Sequence, residues 1–412
     1  MSDQTFIKLS NFIFESKSTE YRDMNLGIDR MSQAINAMGD PCKNIPAIHI
    51  AGTNGKGSIA AFINSVLSLV DIKTGITTSP HLVEWVERIC INKNQISKKE
   101  FKSLSLELSP ILEKCSLTPF EFVIAIALKY FTLKEVELLI LEVGLGGRLD
   151  ATTAHKYRPI IAFGAIDLDH CEYLGDSLEK IAIEKAAVIT PKSMVITAAQ
   201  HNTVKRVLTE TAARQQAVIN WVDPLPSDWE LGLPGTIQKE NAAIAKGVIE
   251  SLKNIGWSIS EAQIREGLSL AKWPGRLQAT KWKGMPIVVD GAHNPNAAKH
   301  LSIERESWPD QENGIVWILG IQKTKDMMNI MHHLIREKDL AWIVPIPSQE
   351  SWSKDQILNL CPEYRKQLKE AMSVEEVLLK LMDQKGWPYP PPIIAGSLYL
   401  VGDLLRSQIL KS

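Results

Sequence analysis

The sequence predicts an α/β protein: a domain built on a mainly parallel sheet, followed by a second, smaller α/β domain. Three observations lead there. Short apolar runs alternate with helical periodicity along most of the 412 residues, the order that lays helices against parallel strands. Glu137 to Val143 is a nearly continuous apolar run, as expected of a strand buried on both faces. The length exceeds what one ordinary hydrophobic core serves, so two domains are expected.

Composition bounds the class. Apolar residues make up 45% and charged residues 23%, the balance of a soluble globular protein. Lys plus Arg total 46 against 47 Asp plus Glu, a net charge of −1, which argues against a nucleic-acid partner held by a strong positive field. Five cysteines, with no C-x-x-C pair, read as reduced thiols of a cytoplasmic protein. The first 25 residues contain Asp3, Glu15, Glu20 and Asp23 and no apolar core of a secretory signal. No apolar run reaches membrane-spanning length.

Residues 1–40 read as helices, with an amphipathic stretch through Ile28, Met31, Ile35 and Met38 closed by Gly39-Asp40-Pro41. The next stretch organises the chain. Ile48-His49-Ile50-Ala51 is a short strand, Gly52-Thr53-Asn54-Gly55-Lys56-Gly57-Ser58 a glycine-rich turn, and Ile59, Phe62, Ile63, Val66, Leu67 and Val70 line one face of a helix. Glycines let backbone N–H groups crowd a phosphate, Lys56 brings charge, and the Ser58 hydroxyl can reach a magnesium ion. The spacing is shorter than that of a standard Walker A loop, which has four residues between its first glycine and the Gly-Lys pair. A tight turn with a chance lysine is the alternative; Gly-Lys-Gly-Ser favours phosphate.

Lys73 to Thr78 is a second strand, ending in Ser79-Pro80-His81-Leu82. Helical patterns cover 98–114 and 118–134, before the buried strand that terminates in Gly144-Leu145-Gly146-Gly147-Arg148-Leu149-Asp150. A strand from Ile160 to Ile166 ends at Asp167-Leu168-Asp169-His170. Asp176 with Glu179 resembles a capping box for a helix through Ile189, with Lys185 near its middle. Strands at 194–197 and 218–222 follow, separated by a helix. Trp273-Pro274-Gly275-Arg276 breaks the pattern, giving domains 1–272 and 273–412. In the second, strands at 287–290, 315–319, 342–344 and 393–395 alternate with helices, a Rossmann-like arrangement. Pro388 to Pro392 reads as a rigid connector.

Ligands collect outside the carboxyl ends of parallel strands. The phosphate loop, Ser79 with His81, Glu142, Asp150 and the Asp167-Asp169-His170 group all fall there. Each alone has a structural alternative as a cap or buried partner. Together beside a phosphate loop they suggest nucleotide chemistry, since magnesium needs oxygen ligands.

The ordered set Gly52 to Ser58, Ser79-Pro80-His81-Leu82, Glu142 to Thr152, Leu168-Asp169-His170, Glu184-Lys185-Ala186, Val289-Asp290-Gly291-Ala292-His293-Asn294-Pro295 and Gly396-Ser397 resembles the folylpolyglutamate synthase/dihydrofolate synthase branch of the Mur ligase superfamily. The resemblance implies a P-loop-type ATPase domain and an ATP-dependent amide ligase. Its cofactors would be ATP and Mg2+, and its substrates dihydropteroate or a folate with L-glutamate; a monomer is the default expectation, independent of the resemblance. Thr53, Asn54, Gly55, Lys56, Gly57, Ser58, Asn241, Arg276 and Asp290 would hold the nucleotide, the last two from a C-terminal domain that closes over it. Ser58, Ser79, Glu142 and His170 would hold magnesium. Thr118, Phe120 and Asp150 would face the pterin, with Phe120 stacking on the ring and Asp150 accepting from ring N–H groups, and Ser397 would contact glutamate. Lys56, His293 and Lys185 would serve catalysis, Lys185 as a carbamate. From the residues alone, Lys185 equally suits an ion pair with Glu184 or Glu179, Phe120 a core position, and Asn241 a helix start. Val86 and Ala187 depart from residues frequent in relatives. Another Mur-type ligase and a nucleotide-dependent switch are the competing readings.

Overall fold

The computed structural model describes residues 27–384 and 386–410; the helical expectation for 1–26 falls outside them. The chain separates into two compact units. One runs to Leu233 and resumes for Gln238–Lys272; the other comprises Pro234–Ile237 and the chain from Trp273 onward.

The first unit opens with helix α1 (Asp29–Ala37), then β1 (Ala47–Ala51), α2 (Lys56–Leu69), β2 (Thr74–Thr77), β3 (Ile89–Ile91) and β4 (Asn94–Gln95). Helices α3 (Lys98–Cys115) and α4 (Pro119–Leu133) precede β5 (Leu138–Glu142) and β6 (Ile160–Phe163). After these come α5 (Cys171–Leu174), α6 (Leu178–Ala186), β7 (Met194–Thr197), α7 (Asn202–Arg214), β8 (Val218–Trp221), α8 (Gln238–Ser251) and α9 (Glu261–Ser269). The sheet order is β4-β3-β2-β5-β1-β6-β7-β8, parallel from β2 to β8 and antiparallel at β3 and β4. Register matters here. Ile50 of β1 sits opposite both Glu142 of β5 and Ala162 of β6, so four loops leave the sheet at one edge.

All five residues of β1 are buried, and α2 is buried on nearly every side. The predicted apolar face from Ile59 to Leu67 lies in this core, while Val70 is the half-buried C-cap. Glycine permits the packing: a Cβ at Gly267 of α9 would come within 2.6 Å of Val66.

The structure corrects several sequence expectations. Ser177, not Asp176, caps α6, accepting from Lys180 N–H at 3.3 Å, and Asp176 pairs with the Lys180 ammonium at 2.8 Å. That helix stops at Ala186, putting Lys185 in its last turn rather than its middle. Strand β6 ends at Phe163, short of Ile166, because the Ala165 carbonyl turns away to accept the N–H groups of Thr53 and Asn54. Short β3 and β4 were not anticipated; runs of two or three residues carry too little periodicity.

In the second unit β9 (Gln278–Trp282) and β10 (Met285–Val289) form a hairpin, followed by α10 (Pro295–Arg305), β11 (Val316–Leu319), α11 (Met327–Leu334) and β12 (Leu340–Ile343). Then come α12 (Lys354–Leu360), β13 (Leu368–Glu370), α13 (Val374–Met382), β14 (Ile393–Ala395) and α14 (Leu398–Arg406). The sheet order is β13-β12-β11-β14-β10-β9, with only β9 antiparallel. A buried Arg305–Asp339 pair (2.6 Å) is completed by N–H donors from Ile315, Arg336 and the Trp317 indole, which satisfy the charge.

Candidate active site

The phosphate loop is shaped by backbone rather than side chains. Gly52 and Gly55 have φ values of 138° and 86°, a region costly for residues with a Cβ. Space forbids a side chain as well: at Gly52 it would meet the Gly164 backbone at 3.0 Å, and at Gly55 the Asn241 amide oxygen. Asn241, held by Gln238 at 3.0 Å, therefore lies against the Gly52–Ser58 loop. Thr53 ties the loop to the end of β6, its hydroxyl donating to the Asp167 carbonyl at 2.8 Å. Helix α2 begins at Lys56, so its first N–H groups open onto the loop.

Two ammonium groups converge on one carbonyl. Lys56 Nζ donates to the Gly52 carbonyl at 3.0 Å and to that of Thr53 at 3.2 Å; Lys185 Nζ donates to the same Gly52 carbonyl at 3.1 Å. Lys185 is buried at 4% exposure. Burial first, and the neighbouring Lys56 charge second, push its pKa down to about 7. The helix-face ion pairs do not form, because Glu184 binds Arg148 (2.8 Å) and Glu179 binds Arg206 (2.6 Å).

Ser58 is buried in the first turn of α2, and Glu142 is the last residue of β5. The Ser79 N–H donates to Glu142 Oε2 at 3.1 Å, so these two expected ligands meet. His170 caps α5 with φ 51°, its N–H donating to Asp169 at 2.9 Å. Among the described residues no three His, Cys, Asp or Glu side chains form a metal cage. Hydroxyls with one carboxylate fit magnesium, which takes much of its shell from phosphates and water.

Sequence reasoning missed what holds the Ser79 loop. Glu87 collects the N–H groups of Leu82, Val83 and Glu84 at 2.7, 2.8 and 2.6 Å. Arg88 donates to His81 Nδ1 at 2.9 Å and lies 4.2 Å over Trp85. The Glu84/Glu87 spacing was the available signal, since the pair forms a capping box.

Thr118 caps α4, its hydroxyl accepting from Glu121 N–H at 3.3 Å, and Glu121 is clamped in turn by Arg30. Phe120, half-exposed, rests on Gly144, where a Cβ would stand 2.7 Å from the ring. Gly144 N–H donates to Asp150, so Phe120 of α4 and the Asp150 carboxylate both contact Gly144. The Asp150 carboxylate is buried and accepts from Gly144, Leu145 and Thr152 N–H at 2.9, 3.1 and 2.9 Å and from the Thr152 hydroxyl. It is engaged by its own loop, rather than standing open for ring N–H groups.

In the second unit Asp290 accepts from Leu277 N–H (2.9 Å) and Ala292 N–H (2.7 Å); burial raises its pKa and Arg276 opposes the rise. His293 donates through Nδ1 to the Gly291 carbonyl at 2.8 Å. Ser397 is buried and caps α14, accepting from Tyr399 N–H at 3.1 Å.

The family model for the C-terminal domain of dihydrofolate synthetase matches residues 275–407. The chain is 30% identical to dihydrofolate synthetase of Saccharomyces cerevisiae, over 93% of this chain and 98% of that protein. It is equally 30% identical to the dihydrofolate synthase/folylpolyglutamate synthase of Bacillus subtilis, over 92% and 94%. Among solved structures, Mycobacterium tuberculosis folylpolyglutamate synthase complexed with ADP and AMPPCP matches with a TM-score of 0.85 at 25% identity, over 94% and 96% of the two chains. The bifunctional folylpolyglutamate synthase/dihydrofolate synthase of Yersinia pestis matches at 0.83 and 26%, over 98% of each. A phosphate loop, an acidic strand end and similarity along nearly the whole chain therefore agree: this chain belongs to the dihydrofolate synthase/folylpolyglutamate synthase family.

Proposed function

We propose that the chain is an ATP-dependent amide ligase that joins L-glutamate to dihydropteroate and to folates already carrying glutamate. The observation that carries this reading is the edge where the Gly52–Ser58 loop, with Lys56 and Lys185 on one carbonyl, shares strand ends with the Ser79–Glu142 pair. An acceptor carboxylate oxygen attacks the γ-phosphorus and ADP leaves; the glutamate amine then attacks the acyl carbon and phosphate leaves, with one proton released. Loop N–H groups and Lys56 stabilise charge on the phosphoryl oxygens. Ser58, Ser79, Glu142 and His170 would hold magnesium, which when bound offsets charge between nucleotide and acceptor. Thr53, Asn54, Gly55, Gly57, Asn241, Arg276 and Asp290 bind ATP in this reading, Thr118, Phe120 and Asp150 shape the acceptor side, Ser397 contacts glutamate and His293 serves acyl transfer. The reading extends to a cytoplasmic monomer; five free cysteines support a reducing compartment, and among the described residues no helix is long and apolar enough to cross a membrane.

Wild-type enzyme should release ADP over repeated turnovers only when an acceptor and L-glutamate are both present. Assaying dihydropteroate beside a reduced folate monoglutamate separates one activity from two, and no stimulation by either overturns the reading.

Lys185 fits a carbamate. A lysine with a pKa near 7 is substantially neutral at physiological pH, and a neutral amine adds carbon dioxide with loss of one proton. The product would turn repulsion against Lys56 into attraction. Intact-mass or density evidence should show the added carboxylate on Lys185 of active enzyme; a bare amine there removes the carbamate from the reading.

A further inference from the structure

A polar chain runs through the core behind the acceptor side. His49, on β1 three residues before Gly52, is fully buried between Ile48 and Ile50. Its Nε2 lies 2.8 Å from the Thr152 hydroxyl, and that hydroxyl donates its single proton to Asp150 Oδ1. Thr152 must therefore accept from His49, which assigns the Nε2–H tautomer. Burial, reinforced by Arg158 and His155, holds the imidazole neutral, its pKa well below the usual value. The remaining nitrogen, Nδ1, is buried without a hydrogen-bond partner, a cost that an apolar residue at 49 would avoid.

What offsets that cost is the far end of the chain. Asp150 receives the Thr152 hydroxyl on one oxygen and the Gly144 and Leu145 N–H groups on the other. Gly144 in turn is the floor under the Phe120 ring. The strand that leads into the Gly52–Ser58 loop is thus tied, through three side chains, to the loop on which the Phe120 ring of α4 rests.

We propose that His49 and Thr152 are positioning residues for the acceptor: acting through Asp150, they set the Gly144–Leu145 loop against Phe120 and so govern affinity for the heterocyclic end of the substrate. The inference rests on the reading of Phe120 as the acceptor's platform.

The test is steady-state kinetics of the full-length enzyme, varying dihydropteroate and ATP separately. Thr152→Val keeps the shape and removes both bonds. It should raise KM for dihydropteroate at least about tenfold, the scale of one lost buried hydrogen bond when two are lost, and leave KM for ATP within about twofold. Thr152→Ser should restore the wild-type value. His49→Gln keeps a donor near the Nε2 position and should behave as wild type, whereas His49→Leu should raise KM for dihydropteroate in the same direction as Thr152→Val but less, since the Thr152–Asp150 bond remains. If Thr152→Val does not fold, the two His49 variants decide. Equal rises in both KM values, a fall in kcat alone, or unchanged kinetics in the folded Leu or Val variant overturns the inference. A wild-type enzyme inert toward every pterin acceptor overturns the functional reading and takes this inference with it; an active wild type whose variants lack the split overturns this inference alone.

Discussion

Two aspartates, one in each unit, the first buried and the second half-buried, solve the same problem differently. Asp150 lies in the loop after β5 and Asp290 directly follows β10, and both accept the N–H two residues on, from Thr152 and Ala292. Burial raises the pKa of both. Asp150 answers with direct dipoles, three N–H groups and a hydroxyl, while Arg158 and Lys185 act on it only through their fields. Asp290 takes two N–H groups and leans on the Arg276 charge. Dipoles from the chain's own backbone make a rigid turn whose geometry is inseparable from the carboxylate. A nearby cation stabilises charge without dictating the turn, and leaves the arrangement responsive to whatever else approaches the arginine.

Replacing each carboxylate by an amide separates the two designs. An amide NH2 in place of Oδ2 loses the Gly144 and Leu145 N–H bonds; in place of Oδ1 it loses the Thr152 N–H bond and makes the Thr152 hydroxyl accept, turning that proton toward His49, so the network is broken in either orientation. Asp150→Asn should cost about 3 kcal/mol, read as a lower midpoint in urea unfolding. Asp290→Asn loses one backbone bond and should cost about half as much, roughly 1–2 kcal/mol; an equal or larger loss at 290 would break the comparison.

The smallest expected effect is electrostatic. Both carboxyls have native pKa values above the ordinary 3.8. The folded state therefore holds their protons more tightly than the unfolded chain. Their contribution is complete below about 3.8 and fades as pH rises through the raised native value. Arg276→Gln removes the opposing charge, lifts Asp290 further and extends that window upward, by less than about 1 kcal/mol at a partly exposed arginine. The slope of unfolding stability against pH, in wild type and variant, checks it. An unchanged profile would mean that the N–H donors, not Arg276, set the Asp290 charge.

Much of this was open to reading in the chain. Gly52 to Ser58 announces a phosphate loop because left-handed glycines, a lysine and a following apolar stripe are local features. Glu142 and Ser79 were legible as strand-end residues, since period and punctuation mark where strands stop. His49 was visible only as a polar residue inside an apolar strand. Neither its partner at 152 nor Glu87's hold on three N–H groups follows from spacing. Asp176 looked like the cap of α6 because its spacing to Glu179 is right, and only the backbone turn at Ser177 decided otherwise.

By itself, then, the sequence determined two α/β units, the glycine-rich turn between β1 and α2 and the set of strand ends around it, because periodicity and turn chemistry act over a few residues. The tertiary structure alone decided that Lys56 and Lys185 share one carbonyl and that Phe120 rests on Gly144. It also decided that Asp150 is committed to its own loop rather than left open. Those facts depend on which strands lie side by side and in what register. Burial then acts on groups far apart in the chain: it lowers the Lys185 pKa, raises that of Asp150 and keeps His49 neutral.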